Sequence, residues 1–156
     1  MVLKNLNNMK IIFKKMHGLA NDFVIIDQRH KRVKISKKTI KNISDRKTGI
    51  GCDQLIIITK SLKKEVDCRI MIFNSNGDIA EACGNGSRCV AKILLKELKR
   101  KNIKIETDGG IICAKLKKDG NISINMGSFS NNLQRIPLKK FIKIKNKKSS
   151  ILGTIV

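Results

Sequence analysis

Apolar positions in this chain fall mostly into short runs punctuated by glycine and asparagine, with one long stretch at helical spacing. "IIFKKMHG" (11–18) and "NDFVIID" (21–27) read as two short strands broken at Gly18. "SKKTIKNISDR" (36–46) opens on a serine suited to cap a helix and carries Ile40 and Ile43 at helical spacing. After the turn "KTGIGCDQ", the run "LIII" predicts a buried strand. "DCRIMIF" predicts another, ending in the turn-forming cluster "NSNGD". The strongest period is in "SRCVAKILLKELKR". Ala91, Leu94, Leu95 and Leu98 stand at i, i+3, i+4 and i+7, which predicts an amphipathic helix of about 14 residues.

Beyond it, "IKIETDGG", "IICAKLKKDG" and "ISINMG" are three strand-sized pieces separated by glycine-containing turns. The only proline, Pro137, precedes "FIKIKNKKSSILGTIV", which predicts two further strands. Residues 1–9 read as a loose extension in which Met9 offers an alternative start. The pattern sums to an α+β domain, many short strands around one strong helix. A length of 156 residues suits one core of ordinary size.

Composition changes this picture only in part. No apolar run approaches the roughly 18 residues of a membrane span. The basic N-terminus lacks the long apolar core of a signal peptide, so the expected place is the cytoplasm and no membrane partner is expected. Five cysteines, none at C-x-x-C spacing, argue against a zinc ribbon or a secreted disulfide framework. With His17 and His30 the only histidines, no metal site is expected.

The net charge of +22 invites a nucleic-acid reading. However, lysine is spread along most of the chain rather than gathered, and it rises together with isoleucine and asparagine. All three have A/T-rich codons. Aromatic stacking platforms are nearly absent, with no Trp or Tyr. The charge therefore reads as genome composition, and no specific nucleic acid is expected as a partner.

Candidate chemistry concentrates in "EACGNGSRC" (81–89). A helix starting near Gly86 puts Cys83 just before its N-terminus, where unpaired N–H groups and the positive dipole end favour a thiolate. The same N–H groups make a cradle for a carboxylate or phosphate, and glycines on either side of Asn85 let the backbone approach it. Gly84-x-Gly86 is too little for a dinucleotide fingerprint, and no P-loop is present. From this loop alone, an inert buried cysteine stays open. So does a cysteine nucleophile partnered by His17 or His30.

The wider chain narrows the choice. "KMHGLANDFVIID" (15–27), "DRKTGIGCDQLIII" (45–58), "FNSNGDIAEACGNGSRC" (73–89) and "ISINMG" (122–127) together resemble diaminopimelate epimerases in order and spacing. The resemblance spans residues 11–128, and "SSILGTIV" carries it more weakly. It implies a diaminopimelate-epimerase-like α+β fold, with short, mostly antiparallel or mixed strands wrapped around a central helix. It further implies interconversion of LL- and meso-diaminopimelate, on the route to lysine and peptidoglycan, without pyridoxal phosphate, metal or other cofactor.

The resemblance also assigns roles. Cys83 matches one of two cysteines that exchange the α-proton from opposite faces of the substrate. Gly84 and Asn85 match residues whose backbone amides hold the α-carboxylate. Asn21, Gln54 and Asn74 match substrate contacts, which suits side-chain amides because they both donate and accept. On their own residues, Asn21-Asp22 reads equally as a turn and Gln54 as the satisfied end of a strand. Cys52, Cys68, Cys89 and Cys113 read as small apolar residues. Asp45-Arg46 reads as a structural charge pair, and His17 as a hydrogen-bonded core residue.

The family has two similar domains, and the second supplies the opposing cysteine. The expected organisation here is an extension at 1–9, an N-terminal epimerase domain at 10–128, and an incomplete start of the second domain at 129–156. No second C-G-small-G motif occurs. Three arrangements fit: a broken coding sequence, a second half supplied by another chain, or two copies facing each other. Outside diaminopimelate chemistry, the readings are a related amino-acid racemase or epimerase, such as one for a proline-type substrate, or an inactive basic remnant binding nucleic acid non-specifically.

Overall fold

The computed structural model describes residues 2–4, 10–127, 140–146 and 149–155, with side chains described over 11–127. Met9 and Pro137 lie outside the described residues. The chain divides into two compact units, 1–126 and 127–156. In the second, β11 (Lys140–Asn146) and β12 (Ser149–Ile155) form an antiparallel pair.

In the first unit, β1 (Val2–Lys4) pairs antiparallel with β2 (Lys10–Ile12), so a strand lies within the expected extension. The main sheet has eight strands. They are β3 (Lys14–Gly18), β4 (Asn21–Asp27), β5 (Gln54–Thr59), β6 (Cys68–Asn74), β7 (Ile79–Ala80), β8 (Asn102–Thr107), β9 (Gly110–Leu116) and β10 (Ile122–Asn125). Their order is β10-β9-β8-β6-β5-β4-β3, with β7 pairing to β6. The β4–β5 and β6–β8 pairs are parallel, and the other pairs are antiparallel.

Alternation along the central strands explains two cores. Phe23, Ile25, Ile56, Ile58, Ile70 and Ile72 point to one face and pack with Val90, Ala91 and Leu94 of α2 (Gly84–Leu98). Val24, Ile26, Leu55 and Ile57 point to the other and pack with Ile40 and Ile43 of α1 (Lys37–Ser44). Ser36 caps α1, its side chain accepting the Thr39 N–H, as the sequence predicts. The second helix packs against β3, β4, β8, β9 and β10, including both end strands of the sheet's main order. Strands thus wrap a central helix, as expected. Among the described residues, no helix is long and apolar enough to cross a membrane.

Three local expectations need correction. His17 is exposed on β3 rather than in the core, because Met16 takes the inward position beside it. Cys113 is exposed on the outward row of β9, while Cys52, Cys68 and Cys89 are buried as expected. Asp45 does not pair with Arg46. Its carboxylate caps the following turn, accepting the N–H groups of Lys47 and Thr48, while Arg46 reaches Asp22 and Asp53.

Among the described residues, nine of the twelve acidic side chains lie in ion pairs with lysine or arginine: Asp22, Asp27, Asp53, Glu65, Asp67, Asp78, Glu97, Glu106 and Asp108. One of these ties links the far end of β4 to α2. Arg29 holds Asp27 and Glu97 at 2.6 and 2.7 Å.

Candidate active site

The site forms where the N-terminus of α2 meets one end of the sheet. The helix starts at Gly84, ahead of the periodic stripe, and Cys83 is its N-cap in an extended conformation. A glycine opening carries no hydrophobic signal, so periodicity alone misses this first turn. The Cys83 sulfur accepts the Gly86 N–H at 3.4 Å, and its carbonyl accepts the Ser87 N–H at 2.9 Å. Helical geometry leaves the Gly84 and Asn85 N–H groups without intrahelical acceptors, facing the cap. The Asn85 carboxamide oxygen accepts from Arg88, which steadies the loop from within the helix.

Close packing fixes the approach of this terminus. A Cβ on Gly86 would stand 2.6 Å from Ile56 Cδ1 and 3.2 Å from Phe23 Cε1, both on fully buried side chains. A Cβ on Gly18 would stand 3.3 Å from the Asn85 carbonyl oxygen. Gly18 ends β3, and the two-residue turn after it has Leu19 at φ 53° and Ala20 at φ 64°. Asn21-Asp22 therefore begins β4 and is not itself the turn.

The sheet delivers three amides to this end. Asn21 starts β4, Gln54 starts β5 and Asn74 ends β6, all on rows facing α2. The Cys83 thiol approaches Asn21 Oδ1 at 3.9 Å. Gln54 stands opposite Phe23 on one side and Asn74 on the other, and its Nε2 donates to Asn74 Oδ1 at 2.9 Å. The buried Gln54 Oε1 has no hydrogen-bond partner. The structure thus brings together Asn21, Cys83, Gly84 and Asn85. Gln54 and Asn74 form a pair at the same end of the sheet.

Sequence reasoning misses what fastens these strands. Asp22 and Asp53 exchange bonds across the β4–β5 boundary: Asp22 N–H donates to Asp53 Oδ2 at 2.9 Å, and Asp53 N–H to Asp22 Oδ1 at 2.8 Å. Arg46 bridges both carboxylates at 2.8 Å, and Lys15 reaches Asp22 at 2.8 Å. The Arg46 guanidinium holds the Asp22 carboxyl well below the usual carboxylate range. Burial opposes that shift, while Lys15 and the Asp53 N–H add to it. The available signal was a charged pair at the mouth of two strand-start motifs, "ND" and "CDQ".

Chemically, Cys83 differs from the other inward cysteines. Burial pushes the Cys68 thiol up to about 12 and raises that of Cys89, which suits inert packing. Cys83 is half-buried and sits beside open backbone donors. Among the described residues, no group of three or more His, Cys, Asp or Glu side chains is arranged to hold a metal ion.

This fold is that of a class of solved epimerases. It matches a hydroxyproline epimerase from Agrobacterium vitis, determined with bound trans-4-hydroxy-L-proline, at a TM-score of 0.58 and 13% identity, over 90% of this chain and 46% of that one. The sequence model of the family described as Diaminopimelate epimerase matches residues 13–131, and the chain belongs to that family. A diaminopimelate epimerase of Stutzerimonas stutzeri is 46% identical over 122 residues, covering 76% of this chain and 44% of the relative. One from Pelagibacter ubique is 44% identical over 138 residues, covering 88% and 49%. The chain spans about half the length of the curated relatives it matches.

Proposed function

We propose that this chain supplies one half of a cofactor-independent isomerase site that epimerises LL- to meso-diaminopimelate, a step of lysine and peptidoglycan precursor synthesis. Cys83 carries one of the two proton transfers at the α-carbon. The opposing thiol comes from a second half of the site. The substrate α-carboxylate lies against the Gly84 and Asn85 N–H groups. Asn21, Gln54 and Asn74 make polar contacts to the substrate. A cytoplasmic, reducing setting suits five free thiols.

The observation that carries this reading is the cap itself, a half-buried thiol beside open backbone donors within the family match. An α-proton of an amino acid is a weak acid, and the carbanion it leaves pushes charge into the adjacent carboxylate. Two backbone donors and the positive end of a 15-residue helix lie where that charge grows. The amides Gln54 and Asn74 add a donor and an unmet acceptor suited to a zwitterion.

The test is deuterium wash-in at the α-carbon of LL-diaminopimelate in D2O. The reduced chain would be assayed alone and mixed with the C-terminal half of the Pelagibacter ubique relative. Exchange that appears with the mixture and disappears in Cys83→Ala is the expected result. Equal exchange from Cys83→Ala, or none from a folded and assembled mixture, would overturn the proposal.

A further inference from the structure

Beside the cap, Cys83 meets a side-chain amide whose direction is set by a residue outside the site. Asn21 offers a carbonyl oxygen and an NH2 group that are interchangeable by a half-turn of the carboxamide. Its Nδ2 donates to Asp53 Oδ2 at 3.2 Å, while its Oδ1 lies 3.9 Å from the Cys83 sulfur. An ionised carboxylate accepts and cannot donate, so Asp53 leaves only one orientation. The NH2 faces the carboxylate, and the carbonyl faces the thiol. Asp53 is itself pinned, with Oδ1 taken by Arg46 at 2.8 Å and Oδ2 by the Asp22 N–H at 2.9 Å.

We propose that Asp53 is a positioning residue: by orienting the Asn21 carboxamide, it gives Cys83 an acceptor for its thiol proton in place of a second donor to a thiolate. The sulfur then has one neighbour favouring each form. The Gly86 N–H at 3.4 Å suits the thiolate, and the Asn21 carbonyl suits the thiol. Turning the amide would give the sulfur two donors. The inference deepens the proposed epimerase role, because a residue that both gives and takes a proton needs neither form fixed. Among the described residues, Arg88 and Cys89 on its own helix and Glu81 two residues before it are the charged or titratable neighbours of Cys83 along the chain. Asp53 is the carboxylate beyond Asn21, while His17 and Asp22 lie on the strand rows facing away from α2.

The experiment reads the Cys83 thiol directly and needs no turnover, so it stands even if the epimerase assay fails. Iodoacetamide alkylation of the folded chain is followed across pH, with mass spectrometry resolving Cys83 from the exposed Cys113. In Asp53→Asn, a carboxamide at 53 can meet either end of the Asn21 amide. The Cys83 rate near neutral pH is then expected to rise about fivefold, with its profile displaced to lower pH. In an Asn21→Ala background, the same substitution should change neither. No effect of Asp53→Asn, or an equal effect in both backgrounds, would overturn the proposal. The parent protein gives a second reading if Asp53→Asn does not fold. The Asn21 side-chain NH2 resonances must move together with protonation of Asp53, and resonances unmoved by it overturn the inference as well.

Discussion

Gly86 has no side chain where α2 meets β4 and β5, and that absence sets the distance between cap and sheet. Replacing it with alanine forces Ile56 and Phe23 to shift within a filled core. We expect Gly86→Ala to cost about 1–3 kcal/mol in urea unfolding, by overpacking. Asp22 makes a different prediction. Its folded carboxyl titrates below the unfolded value near 4, so its stabilisation is present above about pH 4. That stabilisation is lost as pH falls further, towards the folded pKa. Asp22→Asn should therefore be less stable by about 2 kcal/mol at pH 7, with the difference closing as acid is added. A difference constant with pH would show that the ionised form is not what the fold uses. The contrast with Cys83 explains what was legible. Cys83 and its glycines form one local word, readable from helix-terminus chemistry. Asp53 meets Asp22 across 31 positions and Asn21 across 32, and no pattern of apolar spacing reports such a meeting.

The β3–β4 hairpin carries both the Gly18 contact to α2 and the first site amide. Its turn residues, Leu19 and Ala20, occupy the left-handed region that favours glycine or asparagine, and Leu19 is 85% exposed. Neither side chain offers a packing reward for that backbone strain. Converting the pair to Asn-Gly should stabilise the domain by about 1 kcal/mol, read as a raised denaturation midpoint at unchanged slope. A loss of stability would mean that Leu19 and Ala20 suit the turn better than their conformation suggests. The strands on either side were visible in the sequence, and so was a break at Gly18. The turn itself was not, because Leu-Ala lacks the usual chemical signature of this geometry. The opposite happened at α2, where apolar spacing is strong but begins only after the first turn has been built.

Across the domain, short apolar runs bounded by turn residues identified the central strands but said nothing about their partners. The parallel pairings β4–β5 and β6–β8 had to come from the fold. The parallel β4–β5 pair and the antiparallel β5–β6 pair are what bring Asn21, Gln54 and Asn74 to one end of the sheet. The ion-pair census has a further consequence for the whole chain. Among the described residues, nine of the twelve carboxylates are already engaged, and with a net charge of +22 the chain keeps a large excess of basic residues. At low ionic strength this cationic excess opposes compaction, and a screening length of about 10 Å at 0.1 M shortens the repulsion more than it weakens contacts at 3 Å. Melting temperature should accordingly climb as sodium chloride is raised from dilute buffer to about 0.2 M. A fall instead would mean that the few carboxylates, not the many lysines, govern the electrostatics of the fold.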